Sequence, residues 1–247
     1  MGSRKLLARD KDMTDGALET IISVKDVVKT YHMGEVEVRA LKGVSLDVKE
    51  DDFLIITGRN GSGKSTLLHQ LGLLDRPDSG EIKLSGEEVT SMHERHRTSL
   101  RLRYLGYIFQ EFALLDELTA LENVMLPAMM IEGTGESRSR AMELLELVGL
   151  KGLEDHQPTQ LSGGEQQKVA IARSLVNDPV VLLADEPTAN LDSIAAAEIT
   201  SLFTRLNKEH NRTIVMITHE QDEERLGKRI IHLADGVIND ERLVDEE

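Results

Sequence analysis

The chain has no cysteine, so no disulfide can staple it and no thiolate metal site can form in it. Long apolar runs are missing too. The longest, such as "VMLPAMMI" and "VVLLA", fall far short of the roughly 20 residues that a membrane-spanning helix needs, so any part played at a membrane is peripheral. Positive charge is in deficit: 247 residues carry 29 Lys plus Arg against 44 Asp plus Glu, a formal net charge of −15. That balance disfavours general affinity for nucleic acid or anionic lipid. The basic cluster "HERHRTSLRLR" runs against it and reads as a solvated helix face. The first 20 residues lack the apolar core of a signal peptide, and Leu6 stands where a myristoylation signal wants Ser or Thr. Residues 1–19 therefore read as a polar extension, and residues 241–247 as an acidic, solubilising tail.

What is present is enough for a buried core, with 40% of the residues hydrophobic. Val36, Val38 and Ala40 alternate with Glu35, Glu37 and Arg39, and Val44, Leu46 and Val48 alternate with Ser45 and Asp47. This period of two predicts antiparallel strands with one wet face. The runs "FLIIT" (53–57), "VVLLA" (180–184) and "TIVMIT" (213–218) do not alternate, which predicts strands buried on both faces in a parallel sheet. A helical pattern precedes each of the last two, as in a β/α core. From about residue 88 to 167 helical signals dominate. Thr119 and Glu122 have capping-box spacing and open a helix that Pro127 should end or bend. A second helix, "SRSRAMELLELVGL", sets Met142, Leu144, Leu145 and Val148 on its apolar side, with Gly149 placed to terminate it.

The stretch "GRNGSGKST" (58–66) follows the buried strand "FLIIT" and precedes a helical pattern. Gly58, Gly63, Lys64 and Ser65 fit G-x-x-x-x-G-K-[ST] in the context that the motif requires. Glycines let successive N–H groups turn inward to phosphate oxygens, and the helix starting near Lys64 adds its positive end. Lys64 supplies a point charge to the outer phosphates, and the Ser65 hydroxyl a ligand for Mg²⁺. Three further stretches narrow the chemistry. "VVLLADEPT" ends a buried strand with Asp185 and Glu186, where one carboxylate can hold Mg²⁺ through water and the other can orient and deprotonate an attacking water. "ITHE" sets His219 just past another buried strand, at the edge where open α/β sheets bind ligands. "LSGGEQQ" (161–167) brings Ser162 and two glycines, Gly163 and Gly164, to a second helix start, a second anion-binding N-terminus.

Together these motifs resemble the ATP-binding-cassette family over residues 21–237. "LSGG" resembles its signature motif, Gln110 in "GYIFQ" its Q-loop glutamine, "ANLD" (189–192) its D-loop, and Tyr31 in "KTYHMG" the aromatic that stacks on adenine. On spacing alone Tyr31 is equally an ordinary surface tyrosine. The fold class implied is an α/β P-loop NTPase core with a mixed sheet flanked by helices, an antiparallel β subdomain and an inserted helical subdomain carrying the signature. The expected single domain covers residues 20–240, with its core at 20–87 and 168–237 and the helical subdomain at about 88–167.

The resemblance also implies a site. Catalysis falls to Glu186, His219, Lys64 and Gln110, and metal binding to Ser65, Gln110 and Asp185. Nucleotide contacts fall to Tyr31, to the loop residues Gly58, Arg59, Asn60, Gly61, Ser62, Gly63, Lys64, Ser65 and Thr66, and to Ser162, Gly163, Gly164 and Gln166 of a second copy. The ligands are ATP and Mg²⁺. The partners are a second ATPase chain and a separate integral membrane permease, with no nucleic acid, at the cytoplasmic face of the cell membrane.

Longer matches such as "LLHQLGLLDRPDSGEI" and "LTALENVMLPAMM" point to the lipoprotein-release and macrolide-export group. The resemblance places the permease's coupling helix near residues 110–126. Met125, Met129 and Met130 either line that groove or belong to the core. Departures from the family pattern are Arg59-Asn60 for Pro-Ser, Asp51 for a common glycine, and Lys168 for arginine; none removes a catalytic group. A soluble cassette acting on nucleic acid or ribosomes is disfavoured by charge and by the lack of a second cassette. A regulatory cassette without transport is not separable on sequence.

Overall fold

In the computed structural model, residues 19–34, 36–132 and 134–244 are described. The expected N-terminal extension apart from Glu19, Glu35 of the alternating strand, and residues 245–247 lie outside them, whereas Glu241, Arg242 and Leu243 of the expected tail are strand residues paired with Ile231, Ile230 and Arg229. Strands β1 (Thr20–Met33) and β2 (Val36–Lys49) open the chain, then β3 (Phe53–Thr57), helix α1 (Lys64–Leu71), β4 (Ser79–Leu84), β5 (Glu87–Glu88) and α2 (Glu94–Tyr104). The middle holds β6 (Leu105–Ile108), α3 (Ala120–Glu132), α4 (Thr134–Leu147), α5 (Gly163–Leu175), β7 (Val181–Asp185) and α6 (Ser193–Lys208). The last part holds β8 (Thr213–Ile217), α7 (Gln221–Glu224), β9 (Arg229–Ala234) and β10 (Val237–Leu243). The chain divides into two compact units, one formed by the segment ending at Arg101 together with the segment from Arg212 onward, the other by Leu102–Asn211.

In the first unit an antiparallel sheet runs β2-β1-β4-β5. Val44, Leu46 and Val48 of β2 are buried as their alternation predicts, but Val36 and Val38 are exposed. They pair with Met33 and Tyr31 at the outer end of the β1–β2 ribbon, where cross-strand pairing continues past the buried part of the sheet. A mixed sheet sets β3 parallel to β8 and β9, with β10 antiparallel to β9. Phe53, Leu54, Ile55 and Ile56 are all buried, each contributing about 1.5–3 kcal/mol of hydrophobic stabilisation, and Leu67, Leu68 and Leu71 make the buried face of α1. The turn before β3 holds Asp51 at φ 56, the left-handed conformation that glycine would adopt there without strain. The basic cluster is not simply solvated. Arg97 is 1% exposed and donates to the carbonyls of Leu73 (2.9 Å) and Asp75 (2.5 Å), and Arg101 donates to that of Leu73 (2.7 Å). Both guanidiniums thus hold carbonyls of the turn that follows α1.

In the second unit β6 and β7 pair in parallel, and α5 packs on β6 so closely that a Cβ on Gly106 would lie 2.4 Å from the Ser174 carbonyl oxygen. Helices α3, α4 and α5 pack on one another, and α6 on α5. The Thr119–Glu122 capping box forms, with both reciprocal hydrogen bonds. Pro127 does not end α3, which runs on to Glu132. Burial of Leu121, Val124, Met125 and Ala128 outweighs the lost backbone bond, which costs about 3 kcal/mol. Gly149 at φ 84 ends α4, with the Leu150 N–H reaching back to the Leu145 carbonyl in the Schellman pattern. Met142 is 37% exposed, unlike Leu144, Leu145 and Val148, because it lies at the margin of the apolar stripe.

Candidate active site

The loop after β3 is shaped by close backbone approach. Gly58 has φ 147 and Gly63 φ 104. A Cβ on Gly58 would lie 2.1 Å from the Leu233 carbonyl oxygen, and one on Gly63 2.4 Å from that of Ala40. Only glycine satisfies both the dihedrals and the clearance. Helix α1 begins at Lys64 with no side-chain cap, so the amides of its first turn stay available to an anion. The buried Lys64 ammonium donates to the Gly58 carbonyl (2.9 Å) and the Arg59 carbonyl (3.3 Å). The Ser62 hydroxyl oxygen is buried without a hydrogen-bond partner, while Arg59 and Asn60 face solvent. A loop that admits no Cβ at Gly58 or Gly63, an interior cation and an orphaned hydroxyl fit a phosphate chain.

His219 belongs to the same edge. Ile217 pairs with Ile56, and the Thr218 N–H donates to the Ile56 carbonyl at 3.3 Å, so the chain leaves β8 beside the start of the glycine loop. The Thr218 hydroxyl is held by Glu223 at 2.5 Å and the Thr57 hydroxyl by Glu224 at 3.2 Å. His219 Nε2 lies 3.2 Å from Glu220 Oε1. The Tyr31 hydroxyl donates to Asp75 at 2.9 Å, and the Lys29 ammonium sits 5.2 Å from the ring centroid. Partial burial pushes the phenol's pKa up, with a hydrogen bond to Thr66 as the main opposing influence. Tyr31 is thus a partly buried ring held by Asp75 and Lys29, with Thr66 of α1 within hydrogen-bonding reach.

The second unit gathers Asp185, Glu186 and Gln110. Ile108 pairs with Ala184, so Gln110 and the Asp185–Glu186 pair leave β6 and β7 at one edge. Glu186 has φ 43, a left-handed conformation that a glutamate rarely adopts and that often marks a site. Burial first, and the Asp185 charge second, push the Tyr107 phenol well above its ordinary pKa. Asn190 donates to the Gln110 carbonyl at 3.0 Å, and Asp192 caps α6 through the Ile194 and Ala195 amides. Gln167 of α5 donates to the Pro187 carbonyl at 2.8 Å, tying this helix to the turn after the carboxylates.

Ser162 caps α5, accepting from the Glu165 N–H at 3.3 Å while its own N–H donates to Glu165 Oε2 at 2.8 Å. The Ser-x-x-Glu spacing signals this capping box in the sequence alone. Glu165's pKa is lowered, first by the Ser162 backbone N–H and then by its hydroxyl. Gln166 turns back to the Leu161 carbonyl at 3.1 Å. The two glycines differ: a Cβ on Gly164 would lie 2.9 Å from the Ala195 Cβ, whereas one on Gly163 would meet only ordinary contacts, Leu191 Cδ2 at 3.5 Å and Phe112 Cζ at 3.8 Å. The methionines also divide, with Met125 buried and Met129 and Met130 exposed at 40% and 70%.

Among the described residues no three His, Cys, Asp or Glu side chains cluster as a metal cage. The fold and these two edges define an α/β P-loop nucleotide-binding protein. A family model described as "ABC transporter" matches residues 41–189, and the chain belongs to that family as an ATP-hydrolysing cassette. It is 50% identical over 223 residues to an ABC transporter ATP-binding protein of Thermotoga maritima, covering 90% of this chain and 94% of the relative. It is 46% identical over 222 residues to the lipoprotein-releasing system ATP-binding protein LolD of Cytophaga hutchinsonii, covering 90% of this chain and all of the relative. The macrolide export ATP-binding/permease protein MacB of Chlorobaculum tepidum is 46% identical over 90% of this chain, which spans only 34% of that relative. A solved dimeric ATP-binding cassette in a post-hydrolysis state with ADP and Pi superposes with a TM-score of 0.85 at 42% identity, over 92% of this chain and all of the other.

Proposed function

We propose that residues 20–240 act as one ATPase domain, that two copies close around two ATP molecules, and that this cycle drives a separate membrane permease of the lipoprotein-release or macrolide-export type. The observation that carries the reading is Gly163. Packing among the described residues leaves room for a Cβ there, which supports a role for the bare backbone of this helix start toward a group outside the chain. Each ATP lies in one copy's 58–66 loop, with Tyr31 stacked on the base, and is covered by Ser162, Gly163, Gly164 and Gln166 of the other copy. In that arrangement Lys64 turns from its loop carbonyls to the outer phosphates. Ser65, Gln110 and Asp185 would hold Mg²⁺, which when bound would screen phosphate charge. Glu186 takes a proton from water as its oxygen bonds to the γ-phosphorus and the bond to ADP breaks. His219 donates to the γ-phosphate oxygens and orients them.

Among the described residues no helix is long and apolar enough to cross a membrane. In this reading attachment is peripheral, through the permease, and exposed Met129 and Met130 follow in sequence the 110–126 stretch expected to meet its coupling helix. The test is capture of the Glu186→Gln form from detergent-solubilised native membranes with Mg-ATP, followed by mass spectrometry. The expected result is stoichiometric recovery of one integral membrane protein. Recovery of ribosomes or nucleic acid instead would overturn the permease assignment.

A further inference from the structure

The segment that follows Gln110 is held unusually for an exposed loop. Phe112 and Ala113 are consecutive non-glycine residues at φ 56 and φ 50, a backbone that is strained unless its surroundings impose it. One side chain faces both. Arg173, near the end of α5, donates from Nη2 to the Phe112 carbonyl at 2.7 Å and from Nη1 to the Ala113 carbonyl. Burial draws the guanidinium's pKa down. The fork geometry of arginine suits two adjacent carbonyls, which the single ammonium of lysine cannot span equally. The ring of Phe112 reaches the other end of the same helix, with Cζ 3.8 Å from where a Cβ on Gly163 would stand. The segment is fixed on two further sides: Asn190 donates to the Gln110 carbonyl, and the Asn123 amide pairs with Leu115, accepting from its N–H at 2.8 Å and donating to its carbonyl at 3.0 Å.

We propose that Arg173 is a positioning residue, which locks Phe112 and Ala113 in their left-handed conformation so that Phe112 joins the helix start at Gly163 to the Gln110 segment. The lock makes the two move as one body, so a second copy's nucleotide arriving at Ser162–Gly163 also sets the position of Gln110. The second half of this statement rests on the dimer proposed above; the lock itself does not.

Two measurements separate them. Hydrogen exchange on the full chain with Arg173→Met should show residues 110–115 exchanging at least tenfold faster, with the amides of β3 and α1 unchanged. Arg173→Lys should restore part of that protection, and Phe112→Ala should reproduce the loss if the Met variant fails to fold. Wild-type protection in the foldable variants would overturn the lock, whether or not any dimer forms. The second measurement is ATP-driven association of Glu186→Gln with and without Arg173→Met. The expected outcome is about tenfold weaker association at unchanged monomer affinity for ATP by calorimetry. Equal association would overturn the coupling, and failure of Glu186→Gln itself to associate would overturn the dimer reading while leaving the exchange result to decide the lock.

Discussion

The loop into α1 and the loop into α5 both place glycine at a helix start, yet packing demands the glycines in different measure. At the first, Gly58 and Gly63 abut the carbonyls of Leu233 and Ala40, the helix has no side-chain cap, and a buried lysine lies inside the loop. Charge, donors and shape all come from one stretch of chain. At the second, Ser162 and Glu165 cap each other, Gly164 is demanded by Ala195, and among the described residues nothing crowds a Cβ at Gly163. On the reading proposed above, the first loop supplies its own phosphate cradle, and the second is half of a site that a second copy would complete; the contrast between the glycines supports that division of nucleotide binding from association.

The contrast can be broken at the carboxylate first, where the effect is largest. Glu186→Gln should keep ATP binding and lower turnover by about 10²- to 10⁴-fold, as for a lost general base; steady-state ATPase assays showing normal turnover would remove Glu186 from the mechanism. Lys64→Ala should weaken ATP binding to the monomer by roughly 10²-fold, the worth of one strong charge-assisted hydrogen bond, and titration calorimetry would read it. The glycines sharpen the comparison. Gly164→Ala should destabilise, because overpacking costs about 1–3 kcal/mol against a helix-propensity gain of about 1 kcal/mol. Gly163→Ala should leave thermal stability equal or slightly higher while abolishing ATP-driven association.

The smallest effect concerns the α5 cap. Glu165's carboxyl is held below its usual pKa by Ser162, so the cap's stabilisation is present at neutral pH and is lost as pH falls through that lowered value. Since the pair is largely exposed, the loss is roughly 0.3 kcal/mol after screening. Comparing melting temperatures at pH 7 and pH 3 should show a slightly smaller acid shift in Glu165→Gln than in the wild type.

How far the molecule was legible depended on whether the signal was local. "FLIIT" declared a strand buried on both faces because it lacks alternation, and Thr119 and Gly149 declared helix ends because capping is settled within a few residues. Of the two outcomes expected at Pro127, an end or a bend, the end does not occur, since the burial of α3 overrides a local penalty that no window around the proline reveals. Val36 and Val38 misled in the opposite sense, because alternation reports pairing and burial together, and the outer end of the β1–β2 ribbon has pairing alone. Arg97 and Arg173 were hidden for a third reason: a charged side chain spent on carbonyls distant in sequence leaves no pattern in the chain. In the site, the glycine loop and the carboxylate pair were readable as motifs, and the Ser162–Glu165 cap had a readable spacing. The inequality of Gly163 and Gly164 was not readable, because it depends on where α6 passes.

The most direct test is sedimentation of Glu186→Gln with Mg-ATP, alone and combined with Gly163→Ala. The account predicts a dimer for the first and a monomer of unchanged ATP affinity for the second. Equal dimerisation of both would show that the second helix start is not the half-site, and would contradict the central claim.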